Sequence, residues 1–326
     1  MDITPSVIWA IDFAGGLALS CPEGTIGCTA ERGEFRWLHL SLADQPTRNW
    51  IRTADTLPEE LRALLLDNDG HQRALVTDGW IGCVLHDVER DFDRLDTDRT
   101  GTLRIALGPG LIITARHHPL RSADIIRRHI ERDGRLVRHA ADALDLAVSA
   151  IVENIGSVAS AQAQQIERFE DELLDMPAGF DHRRLVGIRR RIVQFHRQLS
   201  GMRAAFRRLE QDEELPPDLR PTIEKLAQQL SAIDDEMMAI QSQLRLLREE
   251  ADLQAAQRTN QNLYVLSILS ALLLPATLVT GFFGMNTGGL PFAQGTAGTV
   301  MAAALGIIAS GGVYAMLVMM GLVHRN

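Results

Sequence analysis

Residues 259–286 read TNQNLYVLSILSALLLPATLVTGFFGMN, and no charged side chain interrupts them. The chain contains no Asp, Glu, Lys or Arg anywhere from Thr259 to Val323. A helix in a soluble core seldom stays uncharged for so long, because its outer face must meet water. The composition therefore predicts two membrane helices, over 263–283 and 299–323, joined by a loop rich in turn-forming residues.

The helix that enters the first span is predicted to begin far upstream. Apolar residues recur every three or four positions from Ile223 to Leu247, and no Gly or Pro occurs between Pro221 and Pro275. This pattern predicts one continuous helix that leaves the soluble part and enters the membrane. An ordinary helical bundle would bury the apolar stripe within one chain, whereas an oligomeric stalk would bury it between chains. Continuity into a membrane span favours the stalk.

Before this helix, the spacing of apolar residues changes once along the chain, from strand-like to helical. Up to about residue 121, short apolar or alternating runs are bounded by Gly, Pro and Asp, as in strands. The candidate strands are Ser6–Phe13, Phe35–Leu42, Ala74–Leu85, Leu103–Leu107 and Leu111–Ala115. From Ser122 onward the apolar period is helical. We therefore expect an α/β domain followed by a helical region, with a strand order that the pattern leaves open.

Basic residues flank the membrane region on one side only. Arg245, Arg248 and Arg258 precede the first span, His324 and Arg325 follow the second, and the connecting loop carries no positive charge. By the positive-inside rule both termini are cytoplasmic and the loop is outside. The N-terminus has no basic flank followed by an apolar run, so no signal peptide is predicted. We expect a multi-pass protein of a bacterial-type plasma membrane.

The expected segments follow in chain order. They are a cytoplasmic α/β domain over 1–121, a cytoplasmic helical region over 122–215, a long stalk helix over 216–262, a first membrane helix over 263–283, an extracytoplasmic loop over 284–298, a second membrane helix over 299–323 and a cytoplasmic tail over 324–326.

Charge and motif content exclude several classes of protein. The formal net charge is −9, and the acid excess precedes the uncharged region, which disfavours nucleic acid and favours cations as partners. The 3 cysteines are too few and too scattered for a disulfide framework. No Gly-rich phosphate loop follows a strand, and no nucleophile and base can be paired. We therefore expect neither an enzyme nor a bound cofactor.

Small and polar residues recur on one face of the first span, here called the polar stripe. The polar stripe comprises Asn260, Leu263, Ser267, Ser270, Leu274, Thr277, Gly281 and Gly284. Such residues allow close helix packing, and they can also line a wet path, so both roles stay open. Two membrane helices cannot enclose a hydrophilic path alone, so a transporter built from this chain must be an oligomer with its first spans around an axis. On the second span, Ala302, Gly306 and Ser310 predict helix packing.

The spans also limit the state of any ion that crosses. Neither contains Asp, Glu, His or Cys. Zinc stripped of water prefers nitrogen and sulfur ligands, which are absent there. A crossing ion would therefore keep most of its water, held by backbone carbonyls, Asn and Thr, as suits a hydrated divalent cation.

The end of the first span carries a family resemblance. Gly284-Met285-Asn286, after a long helix and before a second terminal span, resembles the signature of the CorA-type divalent-cation transporters. The following Thr287–Pro291 resembles the zinc-transporting (ZntB) branch, because the magnesium branch usually has an acidic residue there. Residues 37–40 and 112–120 also look like strand motifs of that branch, although its members often carry Val where Met285 stands.

The resemblance implies a funnel-shaped homopentamer with a pore along the five-fold axis. It implies that Gly284, Met285 and Asn286 form the outer mouth, where Asn286 amides meet the hydrated metal ion. It matches Asn260 to a polar ring near the inner membrane face. Apolar residues of the pore would form a dewetting gate, and here they are Leu263, Leu266 and Leu274.

The expected cargo is Zn²⁺, with Cd²⁺ as a further ion. A Mg²⁺/Co²⁺ channel of the same family is the nearest alternative, and a membrane-anchored coiled-coil scaffold or sensor is an alternative from another class. Continuing the polar stripe backwards from Asn260 reaches Glu249 and Asp235. We hypothesise that these two form acidic rings that concentrate cations in the funnel; solvated charges on an outer face are the other interpretation.

Overall fold

The structure is a computed structural model that describes residues 6–20, 30, 33–90, 99–132, 136–175, 182–285 and 296–321. The chain divides into two compact units, Met1–Arg248 and Glu249–Asn326. The boundary falls inside one long helix, α6 (Arg220–Gly284). We call Arg220–Arg248 the first half of α6 and Glu249–Gly284 its second half.

The first unit is built on a seven-stranded mixed sheet with the order β2-β1-β3-β7-β6-β5-β4. The strands are β1 (Val7–Ala14), β2 (Leu17–Ser20), β3 (Phe35–Ser41), β4 (Arg73–Thr77), β5 (Trp80–Val88), β6 (Thr100–Gly108) and β7 (Leu111–Arg116). The central pair β3 and β7 is parallel, with Leu38 opposite Ile113, and the other neighbouring pairs are antiparallel. This strand order is the feature that the sequence pattern left open.

Two tight turns correct the strand prediction. The candidate strand Ala74–Leu85 is two strands, because Asp78 (φ 49°) and Gly79 (φ 76°) reverse the chain between β4 and β5. Gly15 and Gly16, with φ of 57° and 86°, make a similar turn into β2, which the pattern did not indicate. Consecutive residues with positive φ are typical of two-residue hairpin loops, in which Asp-Gly and Gly-Gly are favoured.

Helices cover both faces of the sheet. On one face α1 (Gln45–Thr53) and α2 (Glu59–Leu66) pack over an apolar cluster that includes Leu40, Ile51 and Ile113. Side chains alternate along a strand, so Trp37 and His39 lie on the other face. The remaining helices of this unit before α6 are α3 (Arg121–Glu131), α4 (Ala140–Asp175) and α5 (His182–Glu210), and these three contact strands β4 to β7.

Buried polar groups on β1, β3 and β7 are matched to partners. Arg36 Nε and Nη2 donate to the two carboxylate oxygens of Asp12 at 2.6 and 2.9 Å. Arg116 Nε donates to His39 Nε2 at 2.9 Å, so the imidazole proton sits on Nδ1, which donates to Thr114 Oγ1 at 2.8 Å. Burial, and secondarily the charge of Arg116, lowers the pKa of His39 from 6.5 to about 3. Because both ring nitrogens of His39 are hydrogen-bonded, this neutral imidazole is a structural group rather than a metal ligand.

The first half of α6 buries its apolar stripe within its own chain. Leu226, Leu230 and Met237 are fully buried. Lys225 Nζ lies 2.8 Å from Asp145 Oδ1 on α4, and further contacts reach α5. The ordinary helical bundle, rather than the favoured stalk between chains, therefore accounts for this part of the stripe.

The described part of the chain contains three helices long and apolar enough to cross a membrane. In α4, 61% of the apolar window is buried within the fold, as in a core helix. The window in α6 is 0% buried, and that in Thr299–Met319 is 11% buried. The last of these belongs to α7 (Thr296–Met319), so the exposed apolar helices are the two in which the sequence predicts spans.

Candidate ion pathway

The second half of α6 packs against α7 through one defined face. Ser310 Oγ donates to the Leu272 carbonyl at 2.7 Å, and a Cβ placed on Gly306 would lie 3.7 Å from Ala276 Cα. Ala302, one turn before Gly306, is only 9% exposed. The small residues of the second span thus form a packing face, as predicted.

The polar stripe lies on the opposite face of α6. At 3.6 residues per turn, Leu272 and Ala276 point away from Ser270, Leu274 and Thr277. Each residue of the polar stripe is exposed in the chain. The predicted gate residues are exposed as well, Leu263 by 56%, Leu266 by 60% and Leu274 by 69%. Packing on α7 therefore does not explain this stripe, and the face is available to other copies of the chain or to an aqueous path.

The hydroxyl groups on this face keep their acceptor capacity. Ser267 Oγ donates to the Leu263 carbonyl at 2.8 Å, and Thr277 Oγ1 donates to the Leu273 carbonyl at 2.8 Å. A hydroxyl has one proton and two lone pairs, so each oxygen can still accept a hydrogen bond from water. Such oxygens suit the water shell of a hydrated cation, whose outward-pointing groups are hydrogen-bond donors.

Near its C-terminal end this face forms a shallow groove. Leu274, Thr277, Leu278, Gly281, Phe282 and Met285 line it. No atom within 4 Å would meet a Cβ at Gly281 or at Gly284 among the described residues. The groove is therefore mostly apolar, with Thr277 as its polar group.

The predicted outer mouth is described in part. α6 ends at Gly284, and Met285 N donates to the Phe282 carbonyl at 3.4 Å. Asn286, and the loop residues up to 295, lie outside the described residues. The last turn of α6 holds no basic residue. The partial negative charge of a helix C-terminus is therefore not neutralised by a basic side chain in that turn, which favours a cation near Gly284.

The two predicted acidic positions are both exposed. Asp235 lies in the first unit and Glu249 in the second. The buried acid is instead the neighbouring Asp234, which is 0% exposed, with His196 Nδ1 and Arg203 Nη1 each 2.8 Å from its carboxylate. These contacts are close but not aligned as hydrogen bonds. Asp234 continues the apolar spacing after Leu230, a signal that could have identified it in the sequence.

A metal ion that is bound directly needs several ligand side chains close together. Across the ranges that the structure describes, no group of three or more His, Cys, Asp or Glu side chains is arranged to hold a metal ion. Burial raises the pKa of the Cys83 thiol to about 12, so this sulfur is protonated and a poor ligand. Cys21 and Cys28 lie outside the described residues.

Comparisons with known proteins agree on one family. The family model described as "CorA-like Mg2+ transporter protein" matches residues 32–320. The zinc transport protein ZntB of Yersinia enterocolitica is 24% identical over 288 residues, covering 87% of this chain and 85% of the relative. ZntB of Klebsiella pneumoniae is 23% identical over 302 residues, covering 87% and 85% respectively.

Solved structures share the fold. The full-length CmaX protein aligns with a TM-score of 0.76 at 23% identity, covering 98% of each chain. The CorA magnesium transporter from Methanocaldococcus jannaschii aligns with a TM-score of 0.78 at 17% identity, covering 97% of this chain and 99% of that one. The cytoplasmic domain of ZntB from Vibrio parahaemolyticus has a TM-score of 0.63 at 14% identity, over 78% of this chain and 99% of that domain.

Proposed function

The chain belongs to the CorA-like family of divalent-cation transporters, and from this premise we propose that it carries Zn²⁺ through a homopentameric membrane pore. The second half of α6 from each of five copies surrounds the pore, and α7 packs outside it. Gly284, Met285 and Asn286 form the outer mouth, where the hydrated ion meets the Asn286 amides. Both termini lie in the cytoplasm of a bacterial-type cell, and the protein sits in the plasma membrane.

One observation carries the proposal. The polar stripe of α6 is exposed and lies opposite the face that packs on α7. Exposed Asn, Ser and Thr facing lipid would be costly, because hydrocarbon offers no partner for their polar groups. An oligomer that turns the polar stripe toward a shared axis removes this cost, and it also encloses the hydrophilic path that one chain cannot enclose.

The chemistry of the spans supports transport of a hydrated ion. They contain no Asp, Glu, His or Cys, so inner-sphere binding of zinc has no suitable ligands there. Ser267, Thr277 and the last carbonyls of α6 can instead accept hydrogen bonds from the water shell. Leu263, Leu266 and Leu274 supply apolar side chains that narrow a path and close it by dewetting.

The choice of zinc rests on two further points. Relatives that cover most of the chain are named as zinc transport proteins, and the loop residues 287–291 carry no acid. The second candidate is a Mg²⁺/Co²⁺ channel of the same family. The family model that matches residues 32–320 is described as a Mg²⁺ transporter protein, which supports that alternative.

The test is ion entry into proteoliposomes that contain the purified protein, with internal dyes for Zn²⁺ and for Mg²⁺. We expect zinc entry in the unchanged protein and its loss in Asn286→Ala, because the amide ring at the mouth is removed. The matched control is Asn262→Ala, which removes the same amide from an exposed position outside the polar stripe.

Each result has one meaning. Zinc entry that survives Asn286→Ala would remove the proposed mouth. Magnesium entry without zinc entry would keep the transporter and replace the ion. Entry of neither ion, from vesicles with confirmed insertion, would instead support a membrane-anchored scaffold or sensor.

A further inference from the structure

Arg104, in the middle of β6, is a buried cation without a full set of partners. Its side chain is 1% exposed. Its Nη2 donates to the Asp67 carbonyl at the end of α2, at 2.6 Å. Among the described residues, its Nε and Nη1 have no hydrogen-bond partner. A buried guanidinium is costly unless its N–H groups are paired, so these two nitrogens need an explanation.

The same sheet shows how a buried arginine is normally matched. Arg36 on β3 is fully buried, and Asp12 accepts hydrogen bonds from it at 2.6 and 2.9 Å. Among the residues that the structure describes, no carboxylate accepts a hydrogen bond from Arg104. Asp67 and Asp69 attract it electrostatically, but their carboxylates are bound to Arg73 and His71. Arg36 therefore has a carboxylate hydrogen-bonded directly to its guanidinium, whereas the acids that act on Arg104 do so only through their field.

A second arginine lies on the same side of the sheet, and a histidine lies within electrostatic reach of both arginines. Arg104 is opposite Ala115 in the β6–β7 register, and Ala115 shares an apolar cluster with Ile51 of α1. Arg48 lies one turn before Ile51 on α1, and its Nε is also buried and unpartnered within the described part of the chain. His117 is the first residue after β7, and both arginines are close enough to act on its imidazole electrostatically.

The electrostatic effect of Arg48 and Arg104 on His117 indicates that the three side chains are near one another. Burial, then the charges of Arg104, Arg48 and His118, lowers the pKa of His117. Both arginines thus act on the same imidazole. Their combined field favours an anion at this point.

We propose that Arg48, Arg104 and His117 form a binding site for an inorganic oxyanion of the sulfate or phosphate type where α1 meets the sheet. The open N–H groups of the two guanidiniums donate to its oxygens, which accept directed hydrogen bonds well. The neutral imidazole of His117 can add a third donor. The burial of Arg104 restricts the ligand to a small ion.

The test is equilibrium binding of radiolabelled sulfate to the purified full-length protein in detergent, at ionic strength held constant with chloride. Sulfate is fully ionised near neutral pH, so its own titration does not interfere. We expect one saturable sulfate per chain, displaced by unlabelled phosphate. Arg104→Gln and Arg48→Gln each lower the affinity by about tenfold or more, since each removes a charged donor.

Arg52→Gln is the matched control, because Arg52 lies one turn after Arg48 on α1, is exposed, and bonds to Asn49 Oδ1 at 2.8 Å. It should leave sulfate binding unchanged. Arg48 is only partly buried, so Arg48→Gln carries the test if Arg104→Gln fails to fold. Absence of saturable sulfate binding, unchanged affinity in Arg48→Gln, or displacement of sulfate by chloride as effective as by phosphate would each overturn the site. The measurement involves no metal transport, so it is independent of the proposed function.

Discussion

The two halves of α6 use the same helical period in opposite ways. In the first half, apolar residues such as Leu226, Leu230 and Met237 form the buried stripe, and charged residues cover the rest. From Leu263 onward most residues of the second half are apolar, and the informative stripe is the polar one, which is exposed in the chain. In water the apolar face identifies the core, whereas in lipid the polar face identifies the partner or the path.

The largest effect, a loss of thermal stability, is expected for the buried Asp234 in the first half of α6. Asp234→Ala leaves His196 and Arg203 without their buried carboxylate, and breaking a buried pair typically costs about 3–5 kcal/mol. The midpoint of thermal unfolding of the full-length protein should fall by roughly 10 °C. Asp235→Ala, one residue on and exposed, should leave that midpoint unchanged. Equal shifts in the two variants would contradict the burial difference.

The next effect is expected on the polar stripe of the second half. Asn260→Leu replaces a polar pore residue with an apolar one and should reduce zinc entry by about tenfold, equivalent to ~1.4 kcal/mol in the barrier. Asn262→Leu makes the same change on an exposed position outside the stripe. Flux into proteoliposomes, normalised to inserted protein, distinguishes the two. A larger loss in Asn262→Leu would place the pore on a different face of α6.

A smaller effect is expected at the packing face of the second half. Ser310→Ala removes the hydrogen bond to the Leu272 carbonyl, and such bonds between membrane helices contribute about 0.6 kcal/mol on average. Thermal unfolding in detergent should shift by no more than a few degrees, and zinc entry should persist. A complete loss of transport in this variant would mean that the face between α6 and α7, rather than the polar stripe, controls the ion.

The smallest effect is expected for the exposed acids. Asp235→Asn combined with Glu249→Gln should lower zinc entry by about twofold at low salt and have little effect at high salt, because exposed charges are screened. Flux measured at two ionic strengths tests this. An unchanged rate at low salt would leave both residues as solvated surface charges.

The family and the membrane region could be predicted from the sequence. The resemblance carried by Gly284-Met285-Asn286 is confirmed by the match over residues 32–320. The uncharged region from Thr259 to Val323 is a property of composition along the chain, and it needs no knowledge of contacts. Hydrocarbon excludes charge wherever it is met, so composition alone indicates such segments.

What each helix face contacts was decided by residues that are distant in the sequence. The period from Ile223 to Leu247 fits a bundle or a stalk, and its continuity into a span favoured the stalk. The packing of α4 and α5 on α6 instead supports the bundle for this part of the helix. Likewise, the polar stripe fits either helix packing or the lining of an aqueous path. Because α7 packs on the opposite face of α6, it does not cover the polar stripe. The sequence by itself determined which faces are apolar or polar, because periodicity is local. Only the tertiary structure decided what each face meets, because that depends on residues far away in the chain.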